Sequence, residues 1–273
     1  MLHKSLKAIW IMFAIFIVLL CVNLVVKGVW GAAQRMWLVM DIWAMLLSAF
    51  LLLKHKLPSR KSMMVSALLG LLVLLSYIKT GGMSSVLAVA VTVLSSFAVF
   101  STFESYGEKR LQIINKKEKL SIVTSLIWGL GAGVIWGTIN YFLMISSNEP
   151  KFSIHIMNFL VALSPAILEE IAMRTLFFAF CLSLLRGSIE NKRENFTCWF
   201  MMMVPHVLIH TPDTFINQGF VSGIISVVLY LVIFALPFAI LQRKRDIASA
   251  MIAHGTVDAI RFCFFGLPDI FPI

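Results

Sequence analysis

The sequence predicts an all-α fold, a polytopic membrane helix bundle of about nine transmembrane helices. Composition is the first observation behind this. Sixty per cent of residues are hydrophobic and 13% charged, whereas about a quarter are charged in soluble globular domains. Mean hydropathy is +0.92. The second observation is arrangement, because the apolar residues form long runs able to cross a ~30 Å hydrocarbon core as helices. The third is that basic residues gather in alternate loops, as the positive-inside rule requires. A membrane β-barrel would need short segments of alternating hydrophobicity, which this chain lacks.

The apolar runs lie at about 8–26, 37–53, 62–78, 83–103, 121–146, 153–185, 196–211, 219–241 and 247–265. The first lacks a small-residue cleavage site, so it reads as a retained span and not a removed signal peptide. Asp41 is the only acidic residue in the first four runs and reads as a packing or hydrogen-bonding partner. After the fourth comes Glu104–Leu120, the longest and most charged loop and the candidate domain boundary. This gives 1–118 as an N-terminal membrane region of four helices and 119–273 as a second helix bundle, where the polar chemistry concentrates. In the fifth run Gly129, Gly133 and Gly137 recur at four-residue spacing, which lets helix backbones approach closely. Gly219 and Gly223 repeat that pattern at the start of the eighth run, and Pro237 inside it could break the helix.

Loop charges set the orientation. Lys4, Lys7, Lys54, Lys56, Arg60, Lys61, Lys109, Arg110, Lys116, Lys117, Lys119, Arg186, Lys192, Arg193, Arg243, Lys244 and Arg245 fall on one side, against Lys27, Arg35, Lys79 and Lys151 on the other. The expected topology is a multi-pass protein of the cell membrane with a cytoplasmic N-terminus and an external C-terminus. This topology also explains the net charge of +10. No basic face or stacking platform accompanies the charge, so nucleic acid is not an expected partner. Cys21, Cys181, Cys198 and Cys263 lack CxxC spacing and read as small hydrophobes.

Functional candidates are the charges placed where charge is costly. Pro165–Phe178 reads Pro-Ala-Ile-Leu-Glu-Glu-Ile-Ala-Met-Arg-Thr-Leu-Phe-Phe, and intramembrane ionisable groups generally face a protein interior and carry function. In an α-helix Glu170 and Arg174 share a face and would pair, leaving Glu169 for another task. Downstream, His206 and His210 are four apart, and so are His254 and Asp258, with Arg261 beyond. Three helices then each bring polar side chains at helical spacing, which is how a bundle builds a site in its core. A carboxylate with several imidazoles supports either a metal site or general-base catalysis with imidazoles stabilising an oxyanion.

Glu169-Glu170-x-x-x-Arg174, a histidine at a helix end and His254-x-x-x-Asp258 together resemble the CPBP family, the CAAX proteases and bacteriocin-processing or immunity proteins also called the Abi family. The resemblance covers roughly residues 120–273. It implies an intramembrane, glutamate-dependent endopeptidase: Glu169 activates water, and two motif histidines stabilise the oxyanion. Asp258, where the family often has Asn, would orient His254. The family's second motif has Phe four residues before its histidine, and this chain lacks it. His210 fits through His-Thr-Pro, and His206 fits through its depth in the run. The expected site is thus Glu169, Glu170, Arg174, His206, His210, His254 and Asp258. HExxH is absent and no metal or cofactor is expected. Expected partners are membrane lipids and a peptide or membrane-protein substrate, and the resemblance suggests a bacterial source. The alternative function is a catalytically silent relative acting as a bacteriocin-immunity or regulatory membrane protein.

Overall fold

The computed structural model describes residues 2–108, 111–115 and 120–267, and among them the regular structure is entirely helical. The helices are α1 (Leu2–Val25), α2 (Ala32–Lys54), α3 (Arg60–Ser76), α4 (Gly82–Tyr106), α5 (Ser121–Met144), α6 (Ile156–Val161), α7 (Leu176–Leu184), α8 (Lys192–Ile209), α9 (Pro212–Tyr230), α10 (Leu236–Lys244) and α11 (Ile247–Phe265). Two stretches are π-helical, Pro165–Thr175 between α6 and α7 and Leu231–Ala235 between α9 and α10. Lys109, Arg110, Lys116, Lys117 and Lys119 of the charged loop lie outside the described residues.

Every apolar run of the sequence corresponds to helix. Among the described residues, seven helical segments are long and apolar enough to cross a membrane: Ser5–Val25, Ala32–Lys54, Gly82–Tyr106, Ser121–Met144, Ile156–Leu184, Pro212–Lys244 and Ile247–Phe265. The other two expected spans are α3, with 17 residues, and α8, whose first turn carries Lys192, Arg193 and Glu194. Nine is therefore an approximate count. This is a multi-pass membrane protein.

The chain divides into two compact units. The first comprises Met1–Met63, Leu94–Glu108 and Ile171–Pro237, and the second Met64–Val93, Lys109–Glu170 and Phe238–Ile273. Within the first, the rings of Trp10 and Phe13 in α1 pack on Phe200 of α8, and Phe16 meets Trp43 of α2. Arg35 fastens the α1–α2 turn by donating to Asn23 Oδ1 (2.8 Å), to the carbonyls of Asn23 and Val26, and to that of Trp30. At the opposite end of α2, Lys54 Nζ donates to the Ser183 carbonyl (2.8 Å) and His55 Nε2 meets Ser183 Oγ (2.8 Å).

Within the second unit α5 and α11 pack along the glycine stripe. A Cβ on Gly129, Gly133 or Gly137 would come within 2.6 Å of Ile252, 2.4 Å of Thr256 or 2.5 Å of Ile260. The absent side chains are what allow this approach. In the first unit, Gly219 acts otherwise than its spacing suggested. Nothing lies near its Cβ position, and its φ of +86° marks a kink where the helical geometry of α9 is interrupted. Its role is conformational, because a positive φ favours a residue without Cβ. Gly223 does admit a close neighbour, the ring of Phe215.

Asp246 begins α11. Fully buried, it accepts from the Ser249 amide (2.8 Å), the Asn115 amide (3.1 Å) and the hydroxyls of Ser249 and Ser125. The next amides also have partners, Ile247 donating to Gln112 O (2.9 Å) and Ala248 to Ile113 O (3.0 Å). The orphan donors that every helix start leaves are thereby satisfied in a buried place. The helix that carries His254 and Asp258 is anchored at its origin.

Candidate active site

The first motif is not α-helical. Pro165–Thr175 is a π-helix, in which backbone bonds run from i to i+5 and the turn is wider than in an α-helix. Such wide turns are frequent at functional sites. Both adjacent glutamates reach one imidazole, that of His254 in α11.

The contacts divide between the two ring nitrogens. Glu170 Oε1 lies 2.8 Å from His254 Nδ1, a hydrogen bond. Glu169 Oε2 is 3.5 Å from Nε2, and Asp258 Oδ2 is 3.6 Å from the same nitrogen, both longer than a normal N–H···O bond. The residue that holds the rear nitrogen is Glu170, while Asp258 stands beside Glu169 at the front. All four side chains are buried. Four ionisable groups in a dry environment interact far more strongly than they would in water.

Two neighbours that the sequence reading did not single out complete this group. Gln242 of α10 is fully buried, and its Nε2 donates to Glu170 Oε2 (2.7 Å) and to the Glu170 carbonyl (3.2 Å). Phe238, one turn earlier, stacks on His254 with centroids 4.9 Å apart and planes 13° apart. Gln242 was hidden because it adjoins Arg243-Lys244-Arg245, which reads as a loop. Its signal was the four-residue spacing from Phe238.

The remaining sequence candidates lie in the first unit. Arg174 is buried and donates from Nη1 to the Ala235 carbonyl (2.8 Å). Both oxygens of Glu170 have the partners named above within their own unit, so its carboxylate does more than the pairing with Arg174 first suggested. His206 and His210 point the same way from the end of α8, with Nε2 atoms 3.2 Å apart. His206 is buried, whereas His210 is exposed and caps the helix. Two imidazole nitrogens so close could share a proton or bind one metal ion. The Trp37 ring meets His210 edge-on at 5.1 Å, and Asp213 Oδ1 accepts from the Ala33 amide at 3.4 Å. An N-terminal helix, α2, thus packs beside the second-motif histidines. All four cysteines are free thiols, Cys21 exposed and the others buried.

Buried carboxylates around an imidazole in a helical membrane protein are groups suited to proton-transfer chemistry. Residues 151–260 match the family described as type II CAAX prenyl endopeptidase, Rce1-like. This match is consistent with the resemblance to CAAX proteases and supports a CAAX-type endopeptidase in general terms. Comparisons with curated proteins and with solved structures gave no significant match.

Proposed function

We propose that this chain is an intramembrane endopeptidase in which Glu169 activates the hydrolytic water and His254 helps stabilise the oxyanion. The carrying observation is that Glu169 and Glu170 address opposite nitrogens of one imidazole. A carboxylate on Nδ1 keeps a proton there and fixes the ring, the arrangement that triad enzymes use to orient a histidine. Nε2 then faces Glu169 across a gap wider than a direct hydrogen bond, which suits a polar group between them. Glu169 takes the proton of attacking water, and the scissile carbonyl gains negative charge as the bond to oxygen forms. That proton, passed from Glu169 to Nε2 across the gap, stabilises the charge and is delivered to the departing amine as the peptide bond breaks.

The family resemblance assigns a second oxyanion donor to His206 or His210, and residues 119–273 would form the catalytic bundle. The substrate would be a membrane-tethered peptide or protein. Peptide mapping of membranes with the intact protein and with Glu169→Gln tests this reading. The amide keeps the side chain's size but cannot take a proton from water, so a general base contributing about 10²–10⁴-fold is lost. Products formed equally well by the variant would end the glutamate mechanism.

A further inference from the structure

We infer that α10 supplies the positioning device of this site, with Gln242 holding Glu170 and Phe238 bracing the ring of His254. The inference rests on the peptidase reading for its purpose, though its geometry is independent of it.

Gln242 faces two acceptors, the carboxylate oxygen Oε2 and the main-chain carbonyl of Glu170. Only the amide's NH₂ satisfies both, since its own oxygen would oppose another oxygen at either place. An ionised carboxylate accepts on both oxygens and donates on neither. The atom facing Oε1 must then bring the hydrogen, and that atom is His254 Nδ1. A neutral amide on α10 thereby sets the proton position on an imidazole of α11 through a carboxylate between them.

Phe238 fixes the remaining freedom. A hydrogen bond at Nδ1 alone leaves the imidazole able to rock about that contact. A stacked ring 4.9 Å away removes the rocking. Phe238 and Gln242 can act together because four-residue spacing puts them on one helical face. The geometry immediately upstream is also special, since Leu231–Ala235 is π-helical and Pro237 cannot donate within the backbone ladder.

The test reads the tautomer of His254 directly. The full chain, ¹⁵N-labelled at histidine and held in detergent micelles, is compared as wild type, Gln242→Met and Phe238→Leu, with His254→Gln used to assign the signal. Wild type should show Nδ1 protonated, in one dominant form. Gln242→Met removes the donor at similar length and should give comparable populations of both tautomers. Phe238→Leu should keep the tautomer but broaden the signal as the ring gains motion. Nδ1 without a proton in wild type overturns the inference, as does a wild-type signal in folded Gln242→Met. Should Gln242→Met fail to accumulate, an unchanged signal in Phe238→Leu overturns it equally. The expected signals without proteolysis would support the positioning and count against the peptidase reading. Intact proteolysis with unchanged signals would do the reverse.

Discussion

Glu170 Oε1 lies 2.8 Å from His254 Nδ1 while its other oxygen accepts from Gln242. The carboxylate is committed to acceptance on both sides, and that makes Glu170→Gln an informative change. A glutamine there can point its oxygen at His254, but its NH₂ then opposes the Gln242 amide. Turned around, it sets NH₂ against Nδ1–H. One buried donor is left unsatisfied either way, at about 1–3 kcal/mol. The variant should melt earlier in detergent, and its turnover should fall by roughly 10–100-fold, as when an orienting partner of a catalytic ligand is lost. A thermal unfolding curve and single-turnover rates check both expectations. Unaltered stability and rate would show that Glu170 holds nothing in place.

The bundle was legible because its signals are local. Apolar runs and the Gly129, Gly133, Gly137 stripe each act over a few residues, and each corresponds to an element found here. The site was legible in composition but not in geometry. Nothing in Pro165–Thr175 announces a π-helix, and α-helical spacing alone did not show that Glu169 and Glu170 reach one imidazole. Gln242 escaped notice because its importance depends on Glu170, 72 positions away in sequence. The environment of His210 was hidden for the same reason. Trp37 belongs to an N-terminal helix that reads only as an apolar span.

The glycine stripe yields a paired prediction. At Gly133 an added Cβ would meet Thr256 Cβ at 2.4 Å and the Ala253 carbonyl at 2.8 Å, and the carbonyl cannot swing aside. Gly133→Ala should therefore force α5 and α11 apart, costing about 1–3 kcal/mol as an overpacking change. Gly131, two residues away, has nothing within 4 Å of its Cβ position. Gly131→Ala should be neutral or stabilise the helix by up to about 1 kcal/mol. Yield and thermal stability in detergent should separate the two, and equal behaviour would contradict the packing described.

Asp246 tests whether the anchor of α11 matters to the site that begins about two turns along it. Asp246→Ala removes the helix cap, worth about 0.5–2 kcal/mol. It also removes the acceptor of the Asn115 amide and of the Ser249 amide and hydroxyl. Asp246→Asn retains one acceptor and should recover part of the loss. The expected order of stability is wild type, Asn, then Ala, measured by thermal unfolding. Hydrogen exchange should rise at residues 247–250 before it rises around His254.

Metal dependence divides the two chemistries that carboxylates and imidazoles can support. Zinc sites use three or four protein ligands at about 2.0–2.2 Å. His206 and His210 offer two nitrogens 3.2 Å apart, a separation that one ion could bridge. His254 is differently engaged, with Nδ1 bonded to Glu170 and Nε2 facing both Glu169 and Asp258. Those partners suit an imidazole that carries protons, whereas a metal ligand must leave its coordinating nitrogen unprotonated. Glu169 likewise serves best with its oxygens available to water, because as a ligand it would surrender the basicity that the proposed mechanism needs. Purified protein should accordingly contain less than one equivalent of transition metal, and cleavage should survive EDTA and phenanthroline. Stoichiometric zinc whose removal abolishes cleavage, with activity restored on its return, would make Glu169 a ligand and transfer the activation of water to the ion.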